Sequence, residues 1–259
     1  MLRSYHLYNY PLEALPNKKL LITTLNAHSY NVARKDAAFT EALQHSDVLL
    51  PDGISVVWAV KLLTELKLKK IAGEDLFYYE MNRLQAVDRT AVKNKAKVFF
   101  LGSTESVLCK IKERAGVEFP NVEVFTYSPP YKPAFSDEDN VAMLGAIYAV
   151  QPDVIFVGMT APKQEKWAYR LVHGGKWKLD DDNSQLPSIC HVCCIGAVFD
   201  FYAGTVQRAP RWMIKLGLEW FYRLIKEPGR MWKRYLVGNI SFVLSIVSEK
   251  INSYSQKYH

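Results

Sequence analysis

Apolar residues along this chain fall into short, nearly continuous runs separated by longer stretches with helical spacing. Leu20-Leu21-Ile22-Thr23-Thr24, Val48-Leu49-Leu50, Lys97-Val98-Phe99-Phe100-Leu101, Val122-Glu123-Val124-Phe125 and Asp153-Val154-Ile155-Phe156-Val157-Gly158 read as strands. Cys190-His191-Val192-Cys193-Cys194, running into Ile195-Gly196-Ala197-Val198-Phe199, reads as one more buried strand. Between them, Tyr30 to Gln44, Val56 to Leu68, Thr104 to Ala115 and the segment around Gln164 to Val172 repeat apolar residues at helical intervals, with Ser103 or Thr104 as cap of the third. Strands that are apolar throughout, rather than alternating, predict a parallel sheet covered on both faces. The expected fold class is α/β, doubly wound and Rossmann-like.

Composition sharpens this picture mainly through the placement of charge. The chain has 259 residues, 49% hydrophobic and 23% charged, enough for a sizeable globular core. Its net charge of +7 is carried entirely by residues 204–259, which hold ten bases and three acids. The preceding 203 residues are neutral, with 23 of each. Two parts are therefore expected: an α/β core over 1–203, and a basic, aromatic-rich helical appendage over 204–259. In the appendage Arg208-Ala209-Pro210-Arg211-Trp212, Trp220-Phe221-Tyr222-Arg223 and Arg230-Met231-Trp232-Lys233-Arg234-Tyr235 alternate bases with aromatics, and Tyr235 to Ser248 is strongly apolar. That last stretch is too short for a span of ~18 or more apolar residues but suits a helix lying on a bilayer.

Four cysteines are too few for a disulfide framework, and the first residues lack the pattern of a cleaved leader, so a reducing, intracellular setting is expected. The Cys190-x-x-Cys193 spacing has no second Cys/His cluster to complete a metal site. Asp180-Asp181-Asp182-Asn183 reads as a solvated loop, and Asp137-Glu138-Asp139 as a loop or helix start.

In a doubly wound sheet, ligands lie beyond the carboxyl ends of the strands. The junctions there are Thr24-Leu25-Asn26, Pro51-Asp52-Gly53, Gly102-Ser103-Thr104 and Gly158-Met159-Thr160-Ala161-Pro162-Lys163-Gln164-Glu165. None completes a dinucleotide fingerprint or a P-loop. Asp52 is the leading candidate carboxylate, set between a stiff Pro and a permissive Gly; the same triplet also suits a plain turn. Thr24 and Asn26 can orient a sugar hydroxyl or a base, or cap a helix. Arg223, Arg230 and Arg234, spaced seven and four apart, fall on one helical face. They suit nucleic acid, an anionic membrane surface or a diphosphate, since Arg presents a fork matched to phosphate oxygens. A basic face merely solvated, with Glu227 pairing a neighbouring Arg, is the plain alternative.

Several short motifs in order carry a resemblance. Thr24-Leu25-Asn26, Leu50-Pro51-Asp52-Gly53, Gly73-Glu74-Asp75-Leu76, Phe100-Leu101-Gly102, Pro162-Lys163-Gln164-Glu165-Lys166-Trp167, Phe199-Asp200-Phe201-Tyr202-Ala203-Gly204, Arg208-Ala209-Pro210 and Gly217 to Leu224, with Glu227-Pro228 and Arg234-Tyr235, are similar to the WecG/TagA/CpsF family of bacterial glycosyltransferases, family 26, from about Leu20 to Tyr235. The resemblance implies transfer of N-acetylmannosamine, its uronic acid or a hexose from a UDP-sugar to a polyprenyl-diphosphate-linked saccharide. The setting it implies is peripheral, on the inner face of the bacterial cytoplasmic membrane, in cell-surface polysaccharide synthesis. It further implies inversion without a metal or other cofactor, Asp52 as base with Thr24 beside it, and Asn26 and Gly53 in the same pocket. Substrate contacts are expected from Gly102, Ser103, Gly158, Pro162, Lys163, Gln164, Glu165 and Asp200, and from Arg223, Arg230 and Arg234 closing over the diphosphate. Lys70 stands where the family often has Arg, and Cys194-Ile195-Gly196-Ala197 is a thinner glycine-rich entry than is usual.

The chemistry is self-consistent: one base takes the acceptor proton, and the charge growing on departing UDP is met by helix N-termini and cations. The competing reading, a nucleic-acid-binding α/β domain with a basic arm, gives Val237 to Val247 no purpose; a scaffold without chemistry is a third. The apolar tail can pack on lipid, on the active site or on a second subunit.

Overall fold

A computed structural model describes residues 1–86, 95–174 and 186–255. Among them, in chain order, are β1 (Leu20–Leu25), α1 (Ala27–Ala33), α2 (Ala37–Gln44), β2 (Val48–Pro51), α3 (Ile54–Thr64), α4 (Gly73–Ala86), β3 (Ala96–Leu101), α5 (Glu105–Glu118), β4 (Val122–Tyr127), α6 (Asp137–Val150), β5 (Val154–Val157), α7 (Lys163–Val172), β6 (His191–Cys194), α8 (Val198–Tyr202), α9 (Arg211–Lys215), α10 (Glu219–Lys226), α11 (Pro228–Trp232), a π-turn (Lys233–Val237) and α12 (Gly238–Ser255). The six strands form one parallel sheet in the order β2-β1-β6-β5-β3-β4. This is the doubly wound α/β architecture that the apolar runs predict.

Successive side chains of a strand point to opposite faces. Val98 and Phe100 of β3 and Val154 and Phe156 of β5 meet α4, α5 and α8 on one face. Phe99, Leu101, Ile155 and Val157 meet α6 and α7 on the other. Both faces are buried, which is why these strands show no alternation in sequence. A third cluster lies at the β1–β2 edge under α1, α2 and α3, and Phe242 and Ile246 of α12 complete it. Phe242 packs edge-on against Tyr30, and Glu249 accepts from the backbone of Leu2 and Arg3. The apolar tail thus closes part of the core with one face.

Several local expectations are corrected. The helix expected over 30–44 is two helices, because Asp36 accepts from the Phe39 N–H at 3.0 Å and starts α2 afresh. The helix expected to reach Leu68 ends at Thr64, where Glu65 turns left-handed at φ 65°. Residues 195–199 do not extend β6: Gly196 turns at φ 51° and α8 begins at Val198. Arg223, Arg230 and Arg234 do not share one continuous helix, since α10 ends at Lys226 and Pro228 opens α11. Thr104 caps α5, and Asp137-Glu138-Asp139 forms the first turn of α6 behind Ser136. The Asp180–Asn183 run lies outside the described residues.

Candidate active site

The carboxyl ends of β2, β1, β6, β5 and β3 line up along one edge, spanning four inter-strand steps or ~19 Å. Asp52 sits at the β2 end of that row. Its N–H donates to the Leu25 carbonyl at 2.9 Å, which ties the turn to β1. Gly53 follows at φ 118°, a conformation that costs a side-chain-bearing residue steric strain, and it lies beside Asn26.

Asn26 has a double role. Its Oδ1 accepts from the N–H groups of His28 and Ser29, both at 3.0 Å, so it caps α1; Ser29 reciprocates by accepting from the Asn26 N–H at 2.8 Å. The amide also hydrogen-bonds the Asp52 carboxylate. With Oδ1 held by the helix, the group that faces Asp52 is the Nδ2 donor. Asn26 therefore caps α1 and neighbours Asp52 at once. Thr24, buried, stands two residues before it at the end of β1.

Part of the Asp52 residue is open to solvent, but its carboxyl is packed about by protein, and desolvation pushes its pKa up to about 6. Lys70, the Asn26 hydrogen bond and Arg234 oppose that rise, and Glu219 adds to it. Two of these neighbours, Glu219 of α10 and Arg234 of the π-turn, come from the C-terminal segment. That segment thus reaches the carboxylate from more than 160 positions away in the chain. His28, in the first turn of α1, is half-buried, and its pKa falls to about 4 through burial and the nearby Arg234. It is a neutral imidazole at physiological pH. His28 and Glu219 were not singled out by sequence reasoning; nothing in a helix-forming Ala-His-Ser or in Leu-Glu-Trp marks either as a neighbour of Asp52.

At the middle of the edge, Gln164 and Glu165 are buried in the first turn of α7. Gln164 Nε2 donates to Glu165 Oε1 at 2.8 Å. Gln164 Oε1 lies beside Gly196 and, with Glu165 Oε2, is buried without a hydrogen-bond partner among the described residues. Burial raises the Glu165 pKa to about 7.

The other positions expected at the site make contacts of their own within the fold. A Cβ on Gly102 would stand 2.8 Å from the Gly158 carbonyl oxygen, and one on Gly158 would strike the Phe199 ring at 2.4 Å. These glycines let β3, β5 and α8 pack together, which is a structural reason for them that owes nothing to a phosphate. Ser103 adopts φ 64°, and its carbonyl accepts from Ser128 Oγ. Pro162 precedes α7, and Lys163 turns away to donate to the Lys132 carbonyl and cover the Phe135 ring. Asp200 lies in α8, next to Phe201.

Phe201 organises the basic residues. The guanidinium of Arg208 lies 5.6 Å from its ring centre and that of Arg223 5.4 Å. Arg208 also pairs with Glu74 and, at 3.3 Å, with Glu219, so it clamps α10 to α4. Arg223 keeps a buried Nε with no hydrogen-bond partner among the described residues. Arg230 lies in α11, but its side chain is outside the described set. Among the described residues no group of three or more His, Cys, Asp or Glu could hold a metal ion.

The arrangement offers a raised-pKa carboxylate, neutral hydrogen-bonding groups along a strand edge, and arginines folded over from the C-terminal helices. Residues 6–256 match the family described as "Glycosyl transferase WecG/TagA/CpsF family". The N-acetylglucosaminyldiphosphoundecaprenol N-acetyl-beta-D-mannosaminyltransferase of Bacillus subtilis is 33% identical over 232 residues, 90% of this chain and 80% of that protein. The enzyme of the same name from Bacillus spizizenii is 33% identical over 220 residues, 85% of this chain and 76% of that protein.

Proposed function

The chain belongs to the WecG/TagA/CpsF family of glycosyl transferases, and we propose that it moves N-acetylmannosamine from a UDP-sugar to N-acetylglucosaminyl diphosphoundecaprenol, with Asp52 as the base. The observation that carries the mechanism is the Asp52 environment. Its carboxyl has a pKa of about 6, so it is ionised at neutral pH yet basic enough to take a proton. In the transfer the acceptor hydroxyl oxygen bonds to the anomeric carbon, the bond from that carbon to the UDP oxygen breaks, and UDP leaves with the electron pair. Asp52 receives the hydroxyl proton. A β-linked product from an α-linked donor is what such a single displacement gives, and the relatives' names specify β.

The leaving diphosphate gains negative charge as the bond breaks. Arg223, Arg234 and Arg230 of the C-terminal segment are assigned to meet it, and no metal is required for that balance. Residues 204–259 thereby act with the 1–203 core as one catalytic unit. Thr24, Asn26 and His28 are assigned to the sugar beside Asp52, and Gln164 to the centre of the donor, where its free carbonyl oxygen would accept a hydrogen bond. Gly102, Ser103 and Gly158 shape the far end of the edge, while Pro162, Lys163, Glu165 and Asp200 support it.

Among the described residues no helix is long and apolar enough to cross a membrane. A lipid-linked acceptor would then be met by peripheral contact, through the outer face of α12. Incubating the protein with a panel of UDP-sugars and a polyprenyl-diphosphate N-acetylglucosamine acceptor tests the assignment. UDP-N-acetylmannosamine should give a disaccharide product in the presence of a chelator; transfer from another donor alone, or strict dependence on an added divalent ion, overturns it.

A further inference from the structure

Large apolar side chains on a catalytic core are normally covered, yet α3 and the turn that follows it expose three along one side. Trp58 is 65% exposed and Leu62 50%, one helical turn apart, and Leu66 just past the helix is 57% exposed. The opposite face of the same helix, Val56, Ala59, Val60 and Leu63, is buried in the core. Core packing therefore explains one face and leaves the other unexplained. Charge accompanies the outer face: Lys61, Lys67 and Lys69 are exposed, with Glu65 the only acid between 54 and 70.

This face does not stand alone. α12 lies against α3, and Lys250 donates to the Leu62 carbonyl at 2.7 Å. α12 buries Phe242 and Ile246 inward and turns Ile240, Val243, Leu244, Val247 and Ile251 outward. At the other end of α3, a Cβ on Gly217, which follows α9, would stand 3.1 Å from Ile54 Cγ2, and Trp212 of α9 and Leu216 just after it are exposed. The apolar rim thus runs from α9 past α3 to α12.

We propose that α3 is a second membrane-binding element, whose Trp58, Leu62 and Leu66 enter an anionic leaflet beside the outer face of α12. Tryptophan with aliphatic neighbours and flanking lysines is what the headgroup level of a bilayer favours. A second copy of the chain fits less well: in a twofold contact the patch meets itself, which sets Lys61, Lys67 and Lys69 against like charges, whereas anionic headgroups neutralise them. The consequence is positional and rests on the transfer reading above. α3 starts at Ile54, two residues after Asp52, and Trp58 is four residues further on, ~6 Å along the helix. Seating Trp58 at headgroup level keeps the Asp52 end of α3 beside the leaflet in which an anchored acceptor carries its diphosphate.

The test uses the full chain and Trp58→Ser/Leu62→Ser, with Trp58→Phe as the conservative variant. Vesicles of phosphatidylcholine alone, or with about one third phosphatidylglycerol, are floated with each protein. The double variant should partition about tenfold more weakly into the anionic vesicles although α12 is intact, and Trp58→Phe should restore most binding. Its transfer to polyprenyl acceptor embedded in vesicles should fall in step, while transfer to a short-chain, water-soluble acceptor stays at the parent level. Unchanged flotation of the double variant overturns the proposal. So does a change from dimer to monomer in light scattering with flotation unaltered, which assigns the face to a second copy. If the parent protein makes no product from the soluble acceptor, the transfer reading fails, and the flotation result still decides the role of α3.

Discussion

Replacing Asp52 by asparagine tests the central claim, because one change should lower activity and raise stability together. The carboxyl pKa rises from 3.8 to about 6, chiefly by desolvation. Two units at 1.36 kcal/mol each give about 3 kcal/mol by which ionised Asp52 weakens the fold well above pH 6. The sign follows from proton binding. Between pH 4 and 6 the folded chain holds this proton more tightly than the unfolded chain, so stability falls as pH rises through that window and then levels off. Asn26 can still donate to the amide oxygen of the replacement side chain, so Asp52→Asn removes the charge and keeps the hydrogen bond. The variant should match the parent near pH 4 and exceed it by about 2–3 kcal/mol at pH 8, a midpoint gain of roughly 5–10 °C for a chain this size. Comparing the two proteins cancels the other titrating groups, His28 included. Transfer should drop at least about a hundredfold, with nucleotide binding kept. Urea unfolding at pH 4.5 and pH 8, with product formation measured beside it, provides the assay. A stability gap that does not change with pH, or near-normal turnover, refutes the reasoning.

The remaining predictions follow from the same contacts. Glu219 raises the Asp52 pKa, so Glu219→Gln should move the acid limb of kcat/KM, expected near pH 6 in the parent, to lower pH; a pH–rate profile with an unmoved limb counts against Asp52 as the titrating base. Phe201→Leu removes the ring shared by Arg208 and Arg223 and should raise the KM for the donor about fivefold or more with kcat little changed, read by initial-rate kinetics. Phe242→Ala should cost about 3–5 kcal/mol in denaturant titration, because α12 closes core as well as presenting an outer face. Cutting the chain after Arg211 should therefore lower the melting temperature as well as activity, and a truncated protein with parental stability contradicts that packing.

Runs such as Val98 to Leu101 and Val154 to Val157 determine the sheet by themselves. A strand buried on both faces has no polar position to confuse it with an exposed element, so the parallel, doubly wound class is legible from composition along the chain. Pro51-Asp52-Gly53 is legible for a related reason: a rigid residue and a permissive one leave few backbone shapes, and each presents the side chain between them. Helix ends were harder to place. The break at Asp36 depends on one capping bond, and the stop at Glu65 on a left-handed residue with no glycine to announce it.

Tertiary structure decided everything that depends on distant residues meeting. By sequence Asn26 suits either a cap or a ligand contact, and its place beside Asp52 comes from β1 and β2 pairing side by side. Arg223 and Arg234 have the spacing of one helical face, yet Pro228 breaks that helix and folding sends one to Phe201 and the other toward Asp52 and His28. The apolar tail has in sequence several surfaces it could pack on, and the fold divides it into an inner face that finishes the core and an outer face that remains exposed. Local pattern records what each residue prefers within a turn or two of chain. A carboxylate pKa of about 6 is set by the charges and the exclusion of water that separate segments of the chain bring to one point.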